Sequence, residues 1–153
     1  MKISWHRAGN IIDIMCIFKV SSHKDSFNDF LKENPDFPVY KVYDKGDEVE
    51  LRSEEFATYE DYGFLSEVSD RPWSDFDGQC IDIISFLEVY QPHLLHLKEN
   101  YNIEDWRFDL PYECKLDELR YVQSDFLPSK ALKLMGDLGI GIELSLYWPE
   151  EQV

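Results

Sequence analysis

Between Pro128 and Tyr147 the chain has little conformational choice. Ala131, Leu134, Met135 and Leu138 recur at i, i+3, i+4 and i+7, the spacing of one helix face. Gly139 then stands just past the last turn, where a left-handed residue commonly ends a helix. From there Ile140, Ile142, Leu144 and Leu146 alternate with Gly141, Glu143, Ser145 and Tyr147, which predicts a strand with one apolar face. Two periods meeting at one glycine place a helix directly before a strand, and a helix with one apolar stripe must lie against a sheet or another helix. Because this alternation is the cleanest in the chain, it predicts a final strand buried in the sheet with Leu144 and Leu146 on its core face.

The rest of the chain repeats the theme. Ile12, Ile14, Cys16, Phe18 and Val20 alternate as a strand, and Ser21, Ser22 and Asp25 offer caps for a short helix over 25–33 carrying Phe27, Phe30 and Leu31, ended by Asn34-Pro35. Segments 39–43 and 48–52 flank Asp44-Lys45-Gly46-Asp47, a turn that predicts a hairpin between them. A short strand follows over 62–68 and a loop over 69–78. Ile81, Ile84, Leu87, Leu94, Leu95 and Leu97 then fall near helical spacing, and Pro92 among them predicts a kink or two abutting helices with Pro92 in the first turn of the second. Trp106, Phe108 and Leu110 alternate with Asp105, Arg107 and Asp109 in a further strand, which Pro111 places at an edge or a bulge. The expected fold is α+β: one domain over 1–153, a sandwich of a mostly antiparallel sheet with helices packed on one face.

A chain of 153 residues, 44% hydrophobic and 15% aromatic, has the means to build such a core. Nothing in it approaches the run of about 18 apolar residues that a membrane span needs. The first ten residues lack the uninterrupted apolar stretch of a secretory leader. Cys16, Cys80 and Cys114 are far apart and odd in number, so free, packed thiols and a cytoplasmic location are expected.

Charge is what singles the sequence out. Thirty-one acidic residues oppose fifteen basic ones, a formal net charge of -16, and the surplus is concentrated. Between Asp47 and Asp77 eleven carboxylates face only Arg52 and Arg71, with aromatic residues interleaved. Such a field repels nucleic acid and anionic lipid and speeds encounter with a cationic protein. The expected partner-binding residues are Asp47, Glu48, Glu50, Glu54, Glu55, Tyr59, Glu60, Asp61, Tyr62, Trp73 and Asp75: carboxylates to meet cations, aromatic rings to anchor. A plain solvated face is the alternative use of the same charges.

No constellation points to catalysis. His93, His96 and Glu99 share a helical spacing but lack the remaining features of a zinc site, so an ordinary helix face is expected and no metal. Asp75-Phe76-Asp77-Gly78 resembles part of a calcium loop, yet positions one and twelve would be Trp73 and Ile84, so a cap and turn are expected instead. Gly136, Gly139 and Gly141 reverse the dinucleotide fingerprint and lie between helix and strand. Glu54-Glu55 and Glu60-Asp61 could supply paired carboxylates, but in a run expected to be solvated. No cofactor and no catalytic residue follow.

The closing stretch Leu-Pro-Ser-Lys-Ala-Leu-Lys-Leu-Met-Gly-Asp-Leu-Gly-Ile-Gly-Ile-Glu-Leu-Ser-Leu-Tyr at 127–147, the Lys45-Gly46-Asp47 turn, Phe64-Leu65-Ser66 and the Pro92-containing helix together resemble a bacterial family catalogued as a domain of unknown function. That family usually has Trp where Phe64 stands, and a shorter, less acidic segment before it. The resemblance implies a small α+β domain, and some relatives look like immunity proteins of toxin systems. Joined to the charge, it gives the leading expectation of an immunity protein that binds a toxin domain, a basic nuclease being the best fit. The alternatives are a small-ligand or regulatory domain with a pocket between sheet and long helix, and an enzyme of unrecognised chemistry.

Overall fold

Alternating apolar residues build one sheet, and its apolar face gathers the helices. The computed structural model describes residues 15–49 and 55–149. Its elements run β1 (Cys16–Ser22), α1 (Asn28–Glu33), β2 (Lys41–Tyr43), β3 (Tyr62–Ser69), α2 (Phe76–Val89), α3 (Gln91–Asn100), β4 (Asp105–Glu113), α4 (Ser129–Leu138) and β5 (Gly141–Tyr147). The strands form one sheet in the order β2-β3-β1-β4-β5. All neighbours are antiparallel except β4 and β5, which are parallel. The expected α+β architecture is therefore the observed one.

On the helix side Val20 lies opposite both Phe64 and Trp106, and Phe18 lies opposite Ser66 and Phe108. Phe18 is the hub of the core, with its ring 5.2 Å from Phe108, 5.5 Å from Phe86, 6.2 Å from Trp106 and 6.3 Å from Phe64, centroid to centroid. These separations and tilted or edge-on angles suit the quadrupoles of aromatic rings. The opposite face is polar. There Lys19 bridges Asp109 at 3.3 Å and Glu143 at 3.4 Å, Arg107 reaches Glu143 at 3.8 Å, and the Ser145 hydroxyl donates to Asp109 at 2.7 Å.

Pro92 has the predicted effect: α2 and α3 are separate helices with the proline in the first turn of α3. The buried stripe of α2 is Phe76, Cys80, Ile83, Phe86 and Leu87, whereas Ile81 is exposed. Pro111 marks neither an edge strand nor a bulge, since β4 lies between β1 and β5 in unbroken register; the proline is accommodated because β1 pairs with β4 only as far as Asp109, so the missing N–H falls beyond that ladder. Gly139, left-handed at φ 76°, ends α4 as expected.

Three further expectations fail. Ser21, Ser22 and Asp25 do not cap α1, which begins at Asn28 without a side-chain cap; the Ser22 hydroxyl oxygen accepts the Lys24 and Asp25 amides, and the Asp25 carboxylate accepts the Asn102 amide. No hairpin joins 39–43 to the described part of the next segment, 48–49, residues 50–52 lying outside the described residues: β2 pairs with β3, placing Val42 opposite Phe64, and 48–49 pair with 57–59. The final strand is not buried within the sheet either. It is an edge strand, with Leu144 and Leu146 on the helix side but 45% and 53% exposed. Alternation specifies an apolar face; it does not specify how much of that face a helix reaches.

Candidate partner-binding surface

The acidic stretch begins with a tight turn. The Asp47 amide donates to the Asp44 carbonyl at 3.0 Å, closing a four-residue turn in which Gly46 takes φ 92°, a conformation side-chain-bearing residues rarely adopt. Asp47 returns a carboxylate oxygen to the Asp44 amide at 2.7 Å. The Asp44 carboxylate is held by the Ser26 hydroxyl at 3.0 Å and the Asn28 side-chain amide at 2.9 Å, which fastens the turn to the start of α1.

Past the turn, residues 47–49 pair with 57–59 as a two-stranded ribbon. The Gly46, Val49 and Tyr59 amides donate to Tyr59, Ala57 and Asp47 carbonyls, each at 2.9 Å, and Glu48 lies opposite Thr58. Glu48, Glu55 and Glu60 are exposed along it. Glu50 and Glu54 lie outside the described residues. Tyr59 turns inward, its ring stacked on Tyr43 at 3.8 Å and 14°, with the Lys41 ammonium 5.6 Å from the ring centre. Tyr59 therefore holds the ribbon against the sheet, and the exposed ring of the ribbon is Phe56, at 74%. Val42 on neighbouring β2 and Tyr40 just before it add exposed apolar surface.

The sheet brings further carboxylates to this end, which no local pattern announces. Ser21 at the end of β1 lies between Gly63 and Asp105, so the start of β4 comes beside the start of β3. Burial pushes the Asp61 carboxyl above its ordinary range; His23 opposes that, while Glu104 and Glu60 reinforce it. Burial likewise raises the Tyr43 hydroxyl, with Asp61, Tyr59 and Asp105 adding to the effect. Glu60, Asp61, Glu104 and Asp105 thus share one field around the tyrosine pair. His23 donates its amide to Glu104 at 2.6 Å and brings Nε2 to 3.3 Å.

The other candidates are placed differently. Tyr62 begins β3 and packs, partly buried, against the core. Trp73 and Asp75 lie past the far end of β3, whose eight residues carry the chain roughly 23 Å across the sheet. There the Trp73 ring packs 4.8 Å from Tyr147 and its carbonyl accepts the Glu113 amide, while Asp75 caps α2 by accepting the Gly78 amide at 2.9 Å. The cap expected within 75–78 is present, at Asp75.

The thiols are shielded by burial. Cys16, Cys80 and Cys114 are free and buried, as expected. Burial pushes Cys16 far above its ordinary range and Cys80 up to about 11, with acidic neighbours adding to both. His93 lies between Phe37 and Tyr90 with Nε2 3.4 Å from Asp36. Among the described residues no group of three or more His, Cys, Asp or Glu side chains is placed to hold a metal ion, and no helix is long and apolar enough to cross a membrane. Comparisons with protein-family models, with curated proteins and with solved structures returned no match.

Proposed function

We propose that this chain is an immunity-type inhibitor that binds a cationic toxin domain, a basic nuclease being the class its charge fits best, through the acidic ribbon at the β2 edge. One observation carries this reading: Glu48, Glu55 and Glu60 are exposed on and beside the ribbon, Phe56 stands exposed next to Glu55, and the charges of Glu60 and Glu104 act together on Asp61. Carboxylates so arranged can occupy cationic sites that would otherwise hold phosphates, and an exposed ring supplies the apolar anchor that charge alone lacks. The Tyr43–Tyr59 stack and the Asp44 hydrogen bonds support the same use, because a ribbon already fastened to the sheet loses less entropy on binding. The resemblance of 127–147 to a family with immunity-like relatives is the reason for naming a toxin as the partner.

The test is co-expression with a basic toxin nuclease domain, taken from the coding sequence adjacent to this chain where one is present, followed by growth and by direct binding. Protection is expected, with association slowing as salt is raised. Growth arrest unrelieved by the chain, with no complex between the purified proteins, would refute the proposal.

A further inference from the structure

The outer edge of β5 offers unpaired hydrogen-bonding groups in a definite pattern. The Cys114 amide donates to the Tyr147 carbonyl at 2.8 Å, and Tyr147 lies opposite Glu113 in the parallel ladder with β4. A residue bonded this way directs both its N–H and its C=O to the same neighbour, and alternate residues direct theirs the opposite way. Gly141, Glu143, Ser145 and Tyr147 therefore bond to β4. Ile142, Leu144 and Leu146 send their peptide groups outward, where no described strand lies.

Among the described residues this edge carries none of the usual protection. Its seven residues include no lysine and no proline, and its register with β4 shows no bulge. Its one charge, Glu143, is engaged by Lys19 and Arg107 within the chain. The leucine side chains beside the free amides are about half exposed.

We propose that two copies of this chain pair antiparallel through β5, about a twofold axis at Leu144, joining their sheets into one of ten strands. That axis overlaps all seven residues. Leu144 meets its own copy, Ile142 meets Leu146, and Glu143 meets Ser145, so every outward peptide group faces an outward peptide group and no glutamate faces its counterpart. Charge selects the same edge. The net charge of -16 opposes self-association, but the acidic ribbon adjoins β2, at the other side of the sheet. Nine interstrand steps of about 4.8 Å would hold the two β2 strands roughly 43 Å apart. The screening length is about 8 Å at physiological ionic strength, so the ribbons would scarcely interact and both would remain free.

Sedimentation equilibrium over a concentration series, with hydrogen exchange read amide by amide, tests this. The expected mass rises from 18.2 kDa toward twice that value as concentration increases. Exchange at Ile142, Leu144 and Leu146 should slow with it, while Glu143 and Ser145 stay protected throughout. The double variant Leu144→Lys, Leu146→Lys, changed only at half-exposed positions, should keep its fold by circular dichroism and raise the dimer dissociation constant about tenfold or more. A monomer at every concentration overturns the proposal and leaves the edge to a strand of another protein. So does a dimer that the double variant leaves intact, or one that leaves the three outward amides unprotected.

Discussion

Replacing Gly63 by alanine tests whether the ribbon is held to the sheet in the way described. Gly63 lies in β3 with Tyr43 opposite on β2 and Ser21 opposite on β1, so its backbone is held on both sides. A methyl group there would come 2.7 Å from the Val20 carbonyl oxygen, closer than real Cβ atoms approach, and would collide with the Tyr43 phenol. The phenol must move, and Tyr43 is the ring on which Tyr59 stacks. Overpacking of this kind costs about 1–3 kcal/mol, and loss of an aromatic pair adds about 0.5–1.5 kcal/mol. Removing a glycine from a strand returns about 0.5–1 kcal/mol. The net is a destabilisation of about 2 kcal/mol, or a fall in Tm of roughly 4–8 °C for a domain of this size. Urea unfolding of Gly63→Ala, Tyr43→Ala and the double variant measures it. In the Tyr43→Ala background the methyl still meets the Val20 carbonyl but no longer the phenol, so its cost should fall by about 1 kcal/mol. Equal costs in both backgrounds would sink the idea that Tyr43 is wedged between Gly63 and Tyr59.

Reversing Glu48, Glu55 and Glu60 to lysine should leave folding stability within about 0.5 kcal/mol per site, since all three are exposed, while slowing association with the toxin domain; stopped-flow mixing reads the rate, and an unchanged rate removes the ribbon from the interface. Phe56→Ala should instead speed dissociation, which surface plasmon resonance resolves. None of the three thiols should react with a disulfide reagent until denaturant is added, because all are buried and Cys16 and Cys80 are held well toward the protonated form. Hydrogen bonds from the Asn102 amide at 2.7 Å and side chain at 2.9 Å hold the Asp25 carboxyl below its ordinary value of 3.8. A lowered pKa means stability present above the unfolded value and lost as pH falls through the folded one. The stability gap between wild type and Asp25→Ala should therefore be constant near neutrality and close in acid below about pH 4, and a gap that widens on acidification would contradict the assignment.

Local chemistry made the elements legible and left their neighbours undetermined. The period shift at Gly139 marks α4 and β5 because both patterns depend only on adjacent residues. The turn at Gly46 was equally plain, yet a turn says only that the chain reverses. The strand across from β2 is β3, with the half-exposed Val42 opposite the buried Phe64, a pairing between distant segments that the turn does not specify. The exposure of Leu144 has the same origin: Leu110 lies opposite it on β4 with an apolar side chain on the same face, and the one is fully buried while the other is 45% exposed. The difference lies in strand order and helix placement, which no window along the sequence contains.

The candidate surface was half legible for the same reason. Glu48, Glu55 and Glu60 stand out because acids cluster along the chain, but Trp73 and Asp75 belong to that cluster only in sequence, since β3 carries them to the far end of the sheet. Glu104 and Asp105 stand at the start of β4, and their charges act on Asp61 and Tyr43 because β1 lies between β3 and β4 and aligns their starts. Sequence clustering thus gathered residues that the sheet separates, and missed residues that it unites. Glu104 and Asp105 have partners inside the chain, His23 and Arg107, and Asp75, engaged as the cap of α2, has a structural duty independent of any partner. Charge reversal at Asp75 should therefore be read first as a capping change, worth about 0.5–2 kcal/mol of stability. Only reversals at the ribbon end report on the encounter itself.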